Sequence, residues 1–297
     1  VSQVAEQAAE DEIGRFRRGE RFLGPVAQLI ERDKLDDGAI RILGNALATE
    51  PEPVREEIAR LLVAGGVAAD AQAAAGGSML RDRRIIEVLI DAGIANGVGL
   101  GREACLEGIR AHVPPDLIKE YAAPLVANLK RWPGPTLLLV VAKGKLENAR
   151  PIVDELILTP RWAGKESTLV AKAALGDQTI ERQFVDPFVS TRDAVEKARL
   201  ARLLGLIGTH SALTALASEL RSDLEIVIER VFRRSVRLDI IADLSYNFPD
   251  LGFLYERAIK DDGAYETIEH FAEQRFGVSW RTPRPPFLAI QGYPRQP

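Results

Sequence analysis

The sequence predicts an all-α protein, a right-handed solenoid of stacked helix pairs, and three observations carry that expectation. First, Gly144, Gly176 and Gly208 lie 32 residues apart, and the same apolar phase follows each of them. Ile152, Phe184 and Leu216 align, as do Leu156, Phe188 and Leu220. A fixed period of about 20–50 residues over helical patterns marks an array in which each unit buries its apolar face on the next. Second, apolar residues recur at helical spacing almost throughout. Val54, Ile58, Leu61 and Leu62 follow i, i+4, i+7, i+8, and Leu200, Leu203, Leu204 and Ile207 follow i, i+3, i+4, i+7. Third, aromatic residues make up only 6% of a chain that is 46% apolar, so small aliphatic residues supply the core. They suit helix packing, where interaxial gaps of about 8–10 Å leave little room for rings.

A chain of 297 residues exceeds what one core usually serves. Three segments are expected: amino-terminal helical repeats and a connection over 1–78, a repeat array over 79–278, and an irregular tail over 279–297. In the first segment, REEIARLLVAGG (55–66) is a helix of the repeat type, and the small-residue stretch 64–78 reads as a helix end with a mobile connection. The run Leu137–Ala142 is short enough for strand or helix. Its counterparts Ala171–Leu175 and Leu203–Ile207 read as helix, and a lone strand would strand its own backbone donors, so helix is expected. Asp177 reads as a helix N-cap, Thr191 precedes another helix, and Ser222 with Glu225 has the capping-box spacing. The tail from Ser279 carries five prolines, too many for helix, and Trp280 and Phe287 offer anchors for docking on the last repeat.

The segment ALGDQTIERQFVDPFVST (174–191) matches LIGTHSALTALASELRSD (206–223) turn for turn. Each closes one helix on glycine and starts a second after a short turn. The stretch ARLARLLGLIGTHSALTALASELRSD (198–223) resembles the HEAT-like repeats of the phycobilisome-lyase type. Their second helix is rich in Arg and Ala, ends in Leu-Gly-x-Ile-Gly, and is followed by Ala-Leu-x-x-Leu. The resemblance covers 170–222 best and extends to 144–170 and 36–66. Thr209-His210 replaces the usual acidic cap, and Pro187 falls inside a helix. The resemblance implies HEAT-like pairs in a solenoid. It leaves function open, because that family includes scaffolds, a few lyases and DNA-repair enzymes.

The residues that carry chemistry are sparse. Cys105 is the single cysteine, which rules out an intrachain disulfide and a cysteine metal cluster; it reads as a small core residue. Gly97-Val98-Gly99-Leu100-Gly101 lacks the spacing of a dinucleotide fingerprint and the Lys-Ser/Thr of a phosphate loop, so it reads as an inter-helix loop. Glu266, His270 and Glu273 share one helix face, but no second Glu-x-x-His supplies facing ligands, so a solvated face is preferred to a metal site. His112 and His210 fall in turns without an acid or nucleophile beside them. Asp239 and Asp243 stand one turn apart, as hydrolase carboxylates do, with Arg237 near enough for ordinary pairing. No catalytic, cofactor or metal site is expected.

The remaining polar feature is basic. Arg230, Arg234 and Arg237 fall at i, i+4, i+7 in IERVFRRSVRLD, with Arg233 beside them. On one helical face they would grip carboxylates or phosphates, or else pair with Glu225, Glu229 and Asp239. They are the candidate partner-binding residues. The expected function is a non-enzymatic scaffold that holds a protein or peptide in a curved groove, with arginines steering an acidic segment. The alternatives are an enzyme built on that groove, of the HEAT-like lyase or DNA-glycosylase type, and then a nucleic-acid binder. The net charge of −4 and pI near 5.6 weigh against the last. No apolar run approaches the roughly 20 residues of a membrane span. The compartment stays open between cytoplasm and export with a signal removed.

Overall fold

The computed structural model describes residues 2–21, 35–73, 79–95, 99–228, 232–245, 247–248, 251 and 262–280. Among the described residues it contains fifteen α-helices and a single two-stranded hairpin. The chain is therefore all-α in character. It forms two compact units, Val1–Leu156 and Ile157–Pro297.

The first unit holds α1 (Ser2–Arg17), α2 (Asp37–Thr49), α3 (Glu52–Ala73), α4 (Arg83–Ala95) and α5 (Leu100–His112). It continues with α6 (Pro115–Glu120), α7 (Ala122–Arg131), α8 (Pro135–Gly144), a 3-10 turn (Glu147–Ala149) and α9 (Arg150–Leu156). Leu43, Ile58, Leu62, Leu89, Leu106, Ile109, Leu138 and Val141 are wholly buried in its core. Prolines open α6 and α8 at the first turn, where a missing N–H costs no hydrogen bond. The run Leu137–Ala142 is helical, inside α8.

The stretch 64–78 does not end a helix where its glycines stand. α3 runs on to Ala73 and packs along α5, so residues on both sides of 78 belong to one unit. Gly65 and Gly66 serve packing: a Cβ on them would fall 2.8 Å from Leu35 Cδ1 and 2.3 Å from Leu80 Cδ1. Residues 74–78 lie outside the described residues.

The second unit holds α10 (Glu166–Ala174), α11 (Gln178–Ser190), α12 (Ala194–Ile207), α13 (His210–Ser218), β1 (Glu225–Ile228), β2 (Phe232–Ser235), α14 (Val236–Ser245) and α15 (Asp262–Phe276). Its N-caps are visible in the sequence chemistry. Asp177 accepts from Ile180 N–H, Asp193 from Val195 and Glu196 N–H, and Thr209 from Ala212 N–H. Thr191 is the C-cap of α11, and its hydroxyl accepts from the amide of Asp193. The expected capping box at Ser222 is absent because Glu225 opens a strand. β1 pairs antiparallel with β2 in the register Glu225↔Ser235 to Ile228↔Phe232, and Val236 N–H closes on Leu224 C=O. Ile226, Val227, Ile228 and Phe232 favour the pleated conformation, and here that preference overrides a helical spacing that fits equally well.

Two of the three glycines spaced 32 apart end helices alike, and the third departs. Gly176 and Gly208 take left-handed conformations (φ 101° and 55°) at helix ends, and Phe184 and Leu216 are buried eight residues after them. In the first copy the left-handed residue is Lys145 (φ 50°), and Val153, eight residues on, is the fully buried one. Ile152, the expected equivalent, is half-buried. The slip has a steric cause. Gly144 lies where a Cβ would fall 2.5 Å from Ile118 Cγ2, so it is used for close approach and passes the turn to its neighbour. Phe184→Ala should lower unfolding free energy in urea by about 3–5 kcal/mol. Ile152→Ala should cost less than Val153→Ala, and the reverse order would refute the slipped register.

Candidate functional site

The expected arginine stripe does not form on one helix. Arg234 lies in β2, where its Cα pairs with Ile226, while Arg237 lies in the first turn of α14. Arg230 lies outside the described residues. Strand formation over Glu225–Ile228 and Phe232–Ser235 breaks the 3.6-residue period on which a common face depends. Arg237 is buried, and its guanidinium carbon stands 5.2 Å from the centre of the Tyr265 ring. It works as an internal cation–π contact, which removes it from any exposed stripe.

The other expected residues divide cleanly. Cys105 is fully buried, and desolvation pushes its thiol up to about 12, so it stays a neutral core residue. Glu266, His270 and Glu273 are exposed; His270 Nδ1 lies 3.7 Å from Glu273 and its Nε2 2.8 Å from Gln274 Nε2. Among the described residues no three His, Cys, Asp or Glu side chains gather to hold a metal. His112 ends α5, and His210 starts α13 with its ring 5.9 Å from Phe276. Gly97 and Val98 lie outside the described residues. At the start of α5 the Glu52 carboxylate accepts the Gly101 N–H at 2.8 Å. The chain's own carboxylate thus holds the place a phosphate would need. Glu181 acts alike in the second unit, where it is buried and accepts the hydroxyl proton of Thr209, the N-cap of α13. Trp280 packs on Arg221, whose guanidinium carbon stands 4.7 Å from its ring, and Arg221 donates to Glu269 at 2.8 Å. Phe287 lies outside the described residues.

Two of the clefts among the described residues carry the strongest candidate chemistry. In the second unit Asp239 and Asp243, both buried on α14, line about 490 Å³ together with Arg199 and Arg202 of α12. In the first unit a groove of about 690 Å³ lies over α3 and α5. Small residues make it. Gly101 and Gly108, seven apart, let α5 approach α3 so closely that a Cβ on them would fall 2.7 Å from Arg55 Cβ and 2.4 Å from Val63 Cγ2. Ala104 and Ala111, each three residues further on, face the opening, and α3 contributes Val63, Ala64 and Val67 to the floor. Leu100, 57% exposed, stands at one end and His112 at the other. The length of α5 between them spans about 18 Å.

Charged residues line the rim. Glu103 and Glu107 lie four apart on α5; Glu56 and Arg60 lie four apart on α3 and pair with each other. Arg102 and Arg110 neutralise Glu103 and Glu107 from behind. Their side chains are 3% and 7% exposed, against 36% and 51% for the carboxylates they hold. Arg102 also donates to Gly93 C=O (3.1 Å), Asn128 Oδ1 (3.1 Å) and Trp132 C=O (2.9 Å), and Asn128 Nδ2 donates to Ile94 C=O at 2.8 Å. Burial lowers the Arg102 pKa without bringing it near neutrality. Sequence reading missed Arg102, Asn128 and Lys143. The available signal was a polar residue at a position that the apolar period assigns to the core, as Lys143 is after Leu-Leu-Leu-Val-Val-Ala.

Compared with known proteins, the chain matches no family model, no curated protein and no solved structure. The reading of function therefore rests on the geometry above.

Lys143 is buried and donates to Arg110 C=O at 2.7 Å. Desolvation first, then the nearby Arg110 cation, lowers its pKa from 10.5 to about 7. The unfolded chain therefore binds more protons than the folded one between these values, and stability from this group rises with pH across that window. Below about pH 7 the buried ammonium is charged in both states and its full penalty applies. Lys143→Met should remove this rise. Thermal melts of wild type and variant between about pH 6 and 10 should show the wild type gaining relative to the variant; parallel curves would show an ordinary lysine.

Proposed function

We propose that the protein is a non-enzymatic interaction scaffold of HEAT-like helix pairs, and that the α3–α5 groove holds a segment of another polypeptide. The groove carries the proposal: it is long, aliphatic-floored and open. Its carboxylates are engaged by arginines, an arrangement that suits recognition. The helix-pair reading draws support from bonds that recur at one sequence interval. Arg17 reaches Glu50 and Arg199 reaches Glu166 across 33 residues, as Lys143 reaches Arg110. Tyr121 reaches Glu87 and Asn128 reaches Ile94 across 34. Units that repeat at this interval, each bonded to the last, are what a helical-repeat array requires.

A photoreactive benzoylphenylalanine at position 100, at the exposed end of the groove, with another at exposed Leu158 as control, tests the scaffold in cells. A polypeptide adduct formed at 100, absent at 158 and suppressed by Ala111→Arg, is expected. Absence of any polypeptide adduct at 100 would overturn the reading.

One observation favours a second reading, an enzyme. Asp239 and Asp243 are both buried and share their cleft with two arginines. Catalytic groups are often held at the expense of stability. On the scaffold reading, Asp239→Asn with Asp243→Asn should destabilise the protein by about 1–3 kcal/mol in urea melts, since charge-assisted bonds are lost. A gain in stability would move the argument to the enzyme.

A further inference from the structure

Resting on the groove as a polypeptide site, we infer that its occupant is a basic amphipathic α-helix. The floor sets the shape. Ala104, Gly108 and Ala111 on α5, and Val63 and Val67 on α3, repeat at intervals of three and four. Such rows leave channels that accept the i, i+3, i+4 ridge of a third helix. An extended strand would meet no sheet edge here: the floor's backbone N–H and C=O groups are inside α3 and α5, and a strand binds mainly through main-chain bonds. The span of about 18 Å accepts about twelve helical residues, or three turns.

The rim sets the charge. Glu103 and Glu107 present carboxylates along the α5 edge, while the guanidinium groups that hold them are buried beneath. On the α3 edge Glu56 faces Arg60 within one pair. A ligand approaching from solvent thus meets three carboxylates and one guanidinium. A helix with an aliphatic stripe, and with lysine or arginine one turn apart on the flank facing α5, matches both floor and rim. An acidic segment, the partner expected from the arginine pattern, would meet the exposed carboxylates of Glu103 and Glu107 before the buried guanidinium groups that pair with them.

The test uses the full-length protein and two labelled 14-residue helical peptides. Both carry leucines at i, i+4, i+7 and i+11; one bears lysines beside the stripe and the other glutamates. Fluorescence anisotropy should show the lysine peptide binding at least tenfold tighter. Its affinity should fall several-fold with added salt and in the Glu56→Gln/Glu103→Gln variant, and should vanish in Ala104→Trp, whose indole fills the groove. Circular dichroism checks that both variants are folded. Equal binding of the two peptides, tighter binding of the glutamate peptide, or binding that survives Ala104→Trp would each overturn the inference. If neither peptide binds while a polypeptide adduct still forms at position 100, the helix class is wrong and the scaffold stands. If the adduct is absent too, both fail.

Discussion

An array of short helices brings many helix ends into its interior, and each end leaves backbone carbonyls with no partner of their own. Buried without bonds, such groups cost about 1–3 kcal/mol apiece. Side chains answer this constraint at several places. Arg102 and Asn128 cover Gly93 and Ile94 at the end of α4, and Arg102 also covers Trp132 beyond α7. Lys143 covers Arg110 in the last turn of α5, and Asn247 covers Gly205 in the last turn of α12. The Tyr265 hydroxyl donates to Leu220 past the end of α13. Basic donors are doubly suited here, because the C-terminal end of a helix carries partial negative charge. Among the described buried polar residues, Arg102, Asn128 and Lys143 are therefore ties between one helix end and the next helix.

The same need for close helix contact explains the glycines. Gly101, Gly108 and Gly205 remove side chains where two helices meet; a Cβ at Gly205 would fall 2.9 Å from Asp243 Cβ. Where α5 draws up to α3 in this way, the alanines beside its glycines are too small to fill the space above. The groove follows from that packing. Its edges are charged because the residues just outside the contact meet water, and its arginines sit deep because their stems cover apolar surface and their heads reach helix ends.

Charge in this protein is mostly internal business. The Glu52 carboxylate accepts an N–H at the start of α5, and the Glu181 carboxylate accepts from the hydroxyl of Thr209, the N-cap of α13. Lys197, almost fully buried under the Phe188 ring, bonds Glu219 at 2.6 Å and ties α12 to the end of α13. Along the groove rim, exposed carboxylates outnumber the single exposed guanidinium.

The sequence by itself determined the helices. Periodicity and N-caps such as Asp177 act within a few residues, so they can be read locally, and even Leu137–Ala142 yielded once its neighbours were weighed. Local chemistry also identified Cys105 as core. Tertiary structure decided the rest. Residues 225–235 satisfy helical spacing and strand propensity alike, and strand pairing between β1 and β2, closed by the Leu224–Val236 bond, selects the hairpin and disperses the arginines. The register slip at Gly144 depends on Ile118, 26 residues earlier, and no local rule contains that clash. The groove, likewise, depends on glycines of α5 meeting Arg55 and Val63 of α3. Steric contacts between distant residues have no sequence period, so only the folded chain reveals which surface is left open.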